Sequence, residues 1–311
     1  MREFQPEGFL YELPENRAKC HSLNRLREAM STGEILEARA AVCDSCHNLI
    51  VDLGGGIKGI IPREECALGI AEGTVRDIAI LSRVNKPVCF MVTGFREEMD
   101  GQLRPILSRR KAQERCRMEW HRFLRPGDIL PARVTHLEQF GAFVDIGCGI
   151  ISLLPIDAIS ISRISHPRDR FEVGQDIFAI VKSIEGDRIT LSHRELLGNW
   201  EENAALFEAG ETVSGIVRSV EEYGIFVELT PNLAGLAERR ENVFPGQMAS
   251  VYIKSILPDK MKIKLILIDA FHEKCPPAPI RYYQTSGRMD RWTYSTPESG
   301  KTIETVFTDS E

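Results

Sequence analysis

Phe140-Gly141-Ala142-Phe143-Val144-Asp145 and Tyr223-Gly224-Ile225-Phe226-Val227-Glu228 are the same six-residue phrase written twice: aromatic, glycine, small or branched apolar, aromatic, valine, acid. The period of two makes each phrase a strand. Ala142, Val144 and Ile146 share one face in the first, Ile225, Val227 and Leu229 in the second; Phe143 with Asp145, and Phe226 with Glu228, take the other face.

Reading outward, each phrase closes a longer segment that begins with glycine, an acid and an apolar or β-branched residue. Gly127 to Asp145 is 18 positions and Gly210 to Glu228 is also 18, while a more diverged copy from Gly33 to Asp52 takes 19. Further on, Gly174-Gln175 precedes Lys182-Ser183-Ile184 by the spacing that separates Gly246-Gln247 from Lys254-Ser255-Ile256. Agreement in two separate halves establishes an internal repeat of three copies. A second strand pair follows in each of the later copies, at 177–184 with 188–192 and at 248–256 with 262–268. Roughly 70 residues of short strands with glycine-rich corners is the size of a small closed barrel, which leaves no open sheet edge.

The expected fold is therefore mainly β: three tandem five-stranded barrels joined by short helices. The expected boundaries are an N-terminal helical extension (1–32), a diverged first barrel (33–108), a helical linker (109–124), a second barrel (125–193), a second helical linker (194–208), a third barrel (209–271) and an extension rich in proline and aromatics (272–311). Pro14 opens a helix that carries Leu23, Leu26 and Met30 toward the first barrel. The tail after Pro276-Pro277-Ala278-Pro279 holds Tyr282, Tyr283, Trp292, Tyr294 and Phe307, and is expected to fold back as strands on the last barrel.

A carboxylate is almost never fully buried without a partner, so the Asp145 and Glu228 faces are expected to be outward, and Phe143 and Phe226 with them. Phe140 and Tyr223 add a second ring to each copy, and the glycines that follow them suit a bend that brings both rings onto one platform. Exposed ring pairs bind unpaired bases by stacking, with nearby cations holding phosphates; Arg188, Lys254, Lys262 and Lys264 are the candidate cations.

Composition agrees with a stacking mode. The 311 residues carry 39 Lys+Arg against 45 Asp+Glu, a formal charge of −6. That balance disfavours coating duplex DNA by charge, but not capture of single strands. No apolar run reaches the roughly 18–20 residues of a membrane span, and acid and proline occupy the start where a signal peptide would be apolar. A cytoplasmic protein with reduced thiols is expected, the eight cysteines being scattered.

Other signals are weaker. Cys43-Asp44-Ser45-Cys46-His47 spells a haem-attachment pattern, but it falls in the first repeat between strands and has no second Cys/His pair to complete a zinc site. Neither cofactor nor metal is expected. No phosphate loop, metalloprotease motif or nucleophile elbow occurs, and His136, His166 and His193 are expected to be structural, so an enzyme is not expected. Eight basic residues between 104 and 125 could follow a phosphate backbone or simply form a solvated helix face.

The run from Arg125-Pro126-Gly127-Asp128-Ile129 through Phe140–Asp145, Ser165-His166-Pro167 and Arg188-Ile189-Thr190-Leu191-Ser192 resembles the S-one RNA-binding repeat of the small-subunit ribosomal protein S-one family. Copy three is similar through its own phrase and Pro231-Asn232-Leu233-Ala234-Gly235-Leu236, copy one through Val51-Asp52-Leu53-Gly54-Gly55-Gly56 and Ile106-Leu107-Ser108. The resemblance implies five-stranded OB barrels that bind single-stranded RNA. On it, the RNA face would include Phe140, Phe143, Glu185 and Arg188, and by position Tyr223, Phe226 and Lys262. Pro155 and Ala237 stand where many family members carry a histidine, and His47 and Ile50 replace Phe140 and Phe143 in copy one. The implied partners are single-stranded RNA of the messenger kind and the small ribosomal subunit; the alternative is a protein–protein adaptor that keeps the barrels without the RNA.

Overall fold

The computed structural model describes residues 4–99, 101–271 and 279–308. Two helices precede the first barrel, α1 (Pro14–Cys20) and α2 (Leu23–Thr32), where the sequence suggested one. The extended Ser22 separates them, and Gly33, at φ 66°, ends the second in a left-handed cap. Leu26 is buried in the core beneath and Leu23 packs against it, whereas Met30 is exposed.

The first barrel comprises β1 (Ile35–Cys43), β2 (Leu49–Gly54), β3 (Ile57–Ile61), β4 (Pro87–Glu97) and β5 (Leu103–Ser108), with the short α3 (Ile78–Leu81) between β3 and β4. Its order is 1-2-3-5-4, closed by β1 on β4. The helix α4 (Arg109–Phe123) follows, capped by the Ser108 hydroxyl, which accepts from the Lys111 N–H at 2.9 Å. The second barrel repeats the order with β6 (Ile129–Glu138), β7 (Gly141–Asp145), β8 (Ile151–Pro155), β9 (Asp176–Glu185) and β10 (Arg188–Ser192). The third does so with β11 (Thr212–Glu221), β12 (Gly224–Thr230), β13 (Leu233–Ala237), β14 (Met248–Leu257) and β15 (Lys262–Phe271). In all three the third and fifth strands run parallel, and the fourth and fifth antiparallel. Alternation places Ala142 and Val144, and Ile225 and Val227, in the two interiors, as the strand phase requires.

The linker between the later barrels is not one helix. Arg194–Leu197 form a 3₁₀ turn, Gly198 breaks it at φ 82°, and Asn199 starts α5 (Trp200–Ala204) with a capping box to Glu202. The tail folds back as expected, but over more than the last barrel. A small sheet of β16 (Arg291–Thr293) and β17 (Glu304–Val306) puts Trp292 and Tyr294 into the third barrel's core cluster. Phe307 joins Ile180 and Leu196 of the second-barrel region, and the Tyr282 hydroxyl meets His193 Nε2 at 3.0 Å. Residues 272–278, which include most of the proline run, lie outside the described residues.

The chain forms two compact units. One holds residues 4–124 with 131–133 and 145–151; the other holds 125–130, 134–144 and the described residues from 152 onward. In the second unit, Ser162 N–H donates to the Pro231 carbonyl at 3.0 Å, and the Asn232 amide donates to the Arg194 and Gly198 carbonyls at 2.8 Å, so barrels two and three share a bonded seam.

Candidate nucleic-acid interface

Each repeated phrase places two rings side by side. Phe140 and Phe143 meet edge to face, centroids 5.9 Å apart at 89°; Tyr223 and Phe226 do the same at 6.1 Å and 86°. Phe140 is 57% exposed and Tyr223 70%, while Phe143 and Phe226 are half-buried on the outer barrel wall. One ring in each pair therefore offers a face to solvent, and the other braces it from the strand.

The glycine inside each phrase makes this arrangement possible. A Cβ on Gly141 would lie 2.6 Å from the Leu154 carbonyl oxygen, and one on Gly224, at φ 151°, 2.5 Å from that of Ala237. The facing strand can approach the ring-bearing strand this closely only where no side chain intervenes. Gly141→Ala should cost about 1–3 kcal/mol as backbone is pushed apart, measurable as a lower urea midpoint; an unchanged midpoint would remove the glycine from this account.

Register shows what surrounds the rings. In barrel three Phe226 pairs with Leu236, which in turn lies beside Lys264 across the parallel ladder. Lys264 and Lys262 are exposed on the same strand, and Lys254 sits exposed at an irregularity of β14 between Ile253 and Ser255. In barrel two the parallel pair is Leu153 with Thr190, so Arg188 is the register counterpart of Lys262. Arg188 is exposed at the hairpin mouth opposite Glu185. The candidates from sequence thus occupy corresponding strands of their own barrels.

Barrel one is different at the same register. Ile50 pairs with Ile60, and Ile60 with Ile106, an aliphatic row where the others have ring, leucine and threonine or lysine. His47 stands at φ 63° in the turn between β1 and β2, a turn held by Asp44, whose Oδ1 accepts from the Cys46 and Asn48 N–H groups. The Cys43–His47 pattern is thus a tight turn. Among the described residues no group of three or more His, Cys, Asp or Glu could hold a metal ion, and seven cysteines are free.

One expectation is corrected. The Asp145 and Glu228 carboxylates are off the barrel core but not in solvent; they are 3% and 5% exposed. Each is buried because it has partners. Glu228 accepts from Arg218 Nε at 2.7 Å and from Arg170, which reaches over from the barrel-two side. An extra residue in β11 between Val217 and Ser219 turns Arg218 outward to make that bond. Asp145 accepts from the N–H groups of Glu7, Gly147 and Gly149. The outward phase of the strand was right; the inference from outward to solvated was not.

Two residues stand by the candidate interface without having been assigned to it: His136, expected only to be structural, and Lys182. His136 is exposed, lies 6.4 Å from the Phe143 ring at 31°, and pairs with Glu138 at 2.6 Å, extending the barrel-two platform. Its signal was positional, since it is the strand neighbour expected opposite the second ring. Lys182 is exposed and occupies in β9 the place of Lys254 in β14. His193, by contrast, is structural: buried, bonded to the Ile159 carbonyl at 2.9 Å, and pushed down to about 4 by its burial.

Residues 124–194 match the family model described as the S1 RNA binding domain. The second barrel carries this similarity to the S1 RNA binding domain. Over most of its length the chain is homologous to small ribosomal subunit protein bS1: 28% identical to that of Staphylococcus aureus (strain COL) over 263 residues, covering 78% of this chain and 64% of that protein. The bS1 of Rhizobium meliloti (strain 1021) is 29% identical over 234 residues, covering 69% of this chain and 39% of that protein. The chain thus spans less than two thirds of the length of either relative. Among solved structures, a multidomain protein with nucleic acid binding domains from Streptococcus pneumoniae TIGR4 aligns over 76% of this chain and 73% of its own at 16% identity, with a TM-score of 0.26. Among the described residues no helix is long and apolar enough to cross a membrane.

Proposed function

We propose that this chain captures single-stranded RNA, including unpaired messenger RNA, on barrels two and three, and works in translation in association with the small ribosomal subunit. The observation that carries the reading is the duplicated ring pair, an exposed ring in the turn and a bracing ring on the strand that follows, at corresponding places in two barrels. Bases stack on Phe140, Phe143, Tyr223 and Phe226, each contact contributing about 1–3 kcal/mol before the strand's ordering cost. Arg188, Lys254, Lys262 and Lys264 meet the phosphates, and Glu185 accepts from base or ribose donors at the hairpin mouth. Both ring pairs belong to one compact unit. His47 is a peripheral contact at most, because barrel one offers an isoleucine row and no ring platform. The reading is one of binding, with no catalytic residue assigned.

The test is a fluorescence-anisotropy titration with labelled single-stranded and duplex RNA at several salt concentrations. Saturable binding of the single strand is expected, well above any binding of the duplex. With about three or four phosphates neutralised, log K should fall with log salt at a slope of roughly −2 to −3, since each contact with single strands contributes about −0.7. A steep slope with equal duplex binding would replace stacking with a charge-led mode. Absence of saturable binding at low salt would favour the adaptor reading.

A further inference from the structure

A cavity of about 430 Å³ lies in the first unit, walled by the N-terminal segment, the end of α2, the start of β1, α4 and the turn after β7. Its volume is that of a small-molecule site, and none of the proposed RNA contacts lines it. Phe4, Leu10 and Ile35 give it an apolar wall. The polar part of the lining is short of donors. Gln5 Oε1 is buried there without a hydrogen-bond partner, a vacancy that costs free energy until a donor fills it. The Thr32 hydroxyl donates away from the cavity, to the Glu28 carbonyl at 3.1 Å, leaving its lone pairs. Glu34 and Glu37 both line the space.

Arg115 does not offset this acidity. Its guanidinium donates to the Gly33 carbonyl and pairs with Glu119 at 3.6 Å. Lys19, which does not line the cavity, pairs with Glu34 Oε1 at 2.6 Å and leaves Oε2 to a guest. Glu37 is met by backbone, the N–H groups of Gly8 and Tyr11 each at 2.9 Å. Burial pushes its carboxyl up to about 8, and the nearby Glu7 and Asp145 charges add to the rise. An anion in this cavity would face two carboxyl groups, and a purely apolar guest would leave Gln5 Oε1 unpaired. A guest that donates through charged nitrogen and has an aliphatic body satisfies all three features.

We propose that this cavity binds an aliphatic di- or polyamine, its ammonium groups bonded to Gln5 Oε1 and to the Glu34 and Glu37 carboxyl groups, its methylenes against Phe4, Leu10 and Ile35. This site is separate from the ring platforms and does not rest on the RNA reading.

The experiment is calorimetric titration of spermidine into the RNA-free full chain at about 0.15 M salt, where exposed charges are screened beyond roughly 8 Å. A one-site saturable isotherm is expected, with no heat from a neutral diol of similar length. Gln5→Leu combined with Glu34→Gln should weaken binding about tenfold or more. Gln5→Leu removes an unsatisfied atom and Glu34 is partly exposed, so the variant should keep the wild-type thermal midpoint. A second readout needs no variant. The Trp120 indole touches Phe4 edge-on at 6.4 Å, so its N–H resonance should move on spermidine addition while those of Trp200 and Trp292 stay. The proposal falls if the wild type gives no one-site isotherm, if the double variant binds within twofold, if Trp120 does not respond, or if adenosine or guanosine saturates the site in place of the amine.

Discussion

A Phe143→Ala/Phe226→Ala variant should bind single-stranded RNA about 30-fold to more than 10⁴-fold more weakly than the wild type. The range follows from losing two stacking contacts at about 1–3 kcal/mol each. Phe143 and Phe226 brace Phe140 and Tyr223 edge-on, so their removal also frees the exposed rings to leave the stacking geometry. The barrels should survive, because the interior is built by Ala142, Val144, Ile225 and Val227 on the opposite face, all fully buried. Circular dichroism and the urea midpoint check that directly. The control lies within the same molecule: Ile50→Ala, at the matching register of barrel one, should leave RNA affinity unchanged. If the double variant binds RNA within threefold of wild type while folded, the rings are barrel caps and the stacking mechanism is wrong.

The barrels were legible because their cause is local and periodic. Alternation in 141–146 and 224–229 and the matched spacing of Gly174 and Gly246 prescribe strands whose observed bounds differ by a residue or two at most ends. The rings were legible for the same reason, since period-two phase alone puts Phe143 and Phe226 outside the core. What escaped depends on contacts distant in sequence. Asp145 could not be seen as buried, because its cover comes from Glu7, 138 positions away. Glu228 is covered by Arg170, 58 positions away, and by a bulge in the neighbouring strand that pairing, not propensity, places. The 194–208 segment has helix-forming composition, yet Asn232 takes the Arg194 and Gly198 carbonyls and Gly198 adopts a left-handed φ, so tertiary bonds interrupt the helix. The aromatic tail was legible as an extension that folds back, but not in its reach: Trp292 and Tyr294 enter the third barrel's core cluster while Phe307 packs with Ile180 and Leu196, contacts that alternation does not encode.

Glu7→Ala should destabilise the first unit by about 3–5 kcal/mol, the cost of leaving a buried cation without its partner. Glu7 holds Arg109 through two bonds, at 2.6 and 2.8 Å, and also receives Arg83 at 3.2 Å and the Cys89 N–H at 3.1 Å. Both Glu7 and Arg109 are nearly inaccessible to solvent. Burial alone would raise the Glu7 carboxyl, but the Arg109 and Arg83 charges and bonds outweigh it and hold the group below its usual range. Replacing both partners by apolar residues, Glu7→Leu with Arg109→Met, should recover much of the loss, because no orphaned charge then remains. The pH profile gives a signature that lost packing would not. Glu37, pushed up to about 8 by burial first and by Glu7 among its neighbours, keeps its proton in the folded chain where the unfolded chain has lost it. Its stabilising contribution is complete below about pH 4.5 and is lost as the pH rises toward 8. Removing the Glu7 charge lowers that upper limit, so the alkaline loss of stability should be shallower in Glu7→Ala than in wild type. Urea unfolding followed through Trp120, which belongs to this unit, measures both quantities. A loss below 1 kcal/mol, or an unchanged pH slope, would show that Arg109 finds another partner and that Glu7 is not the anchor of the N-terminal segment.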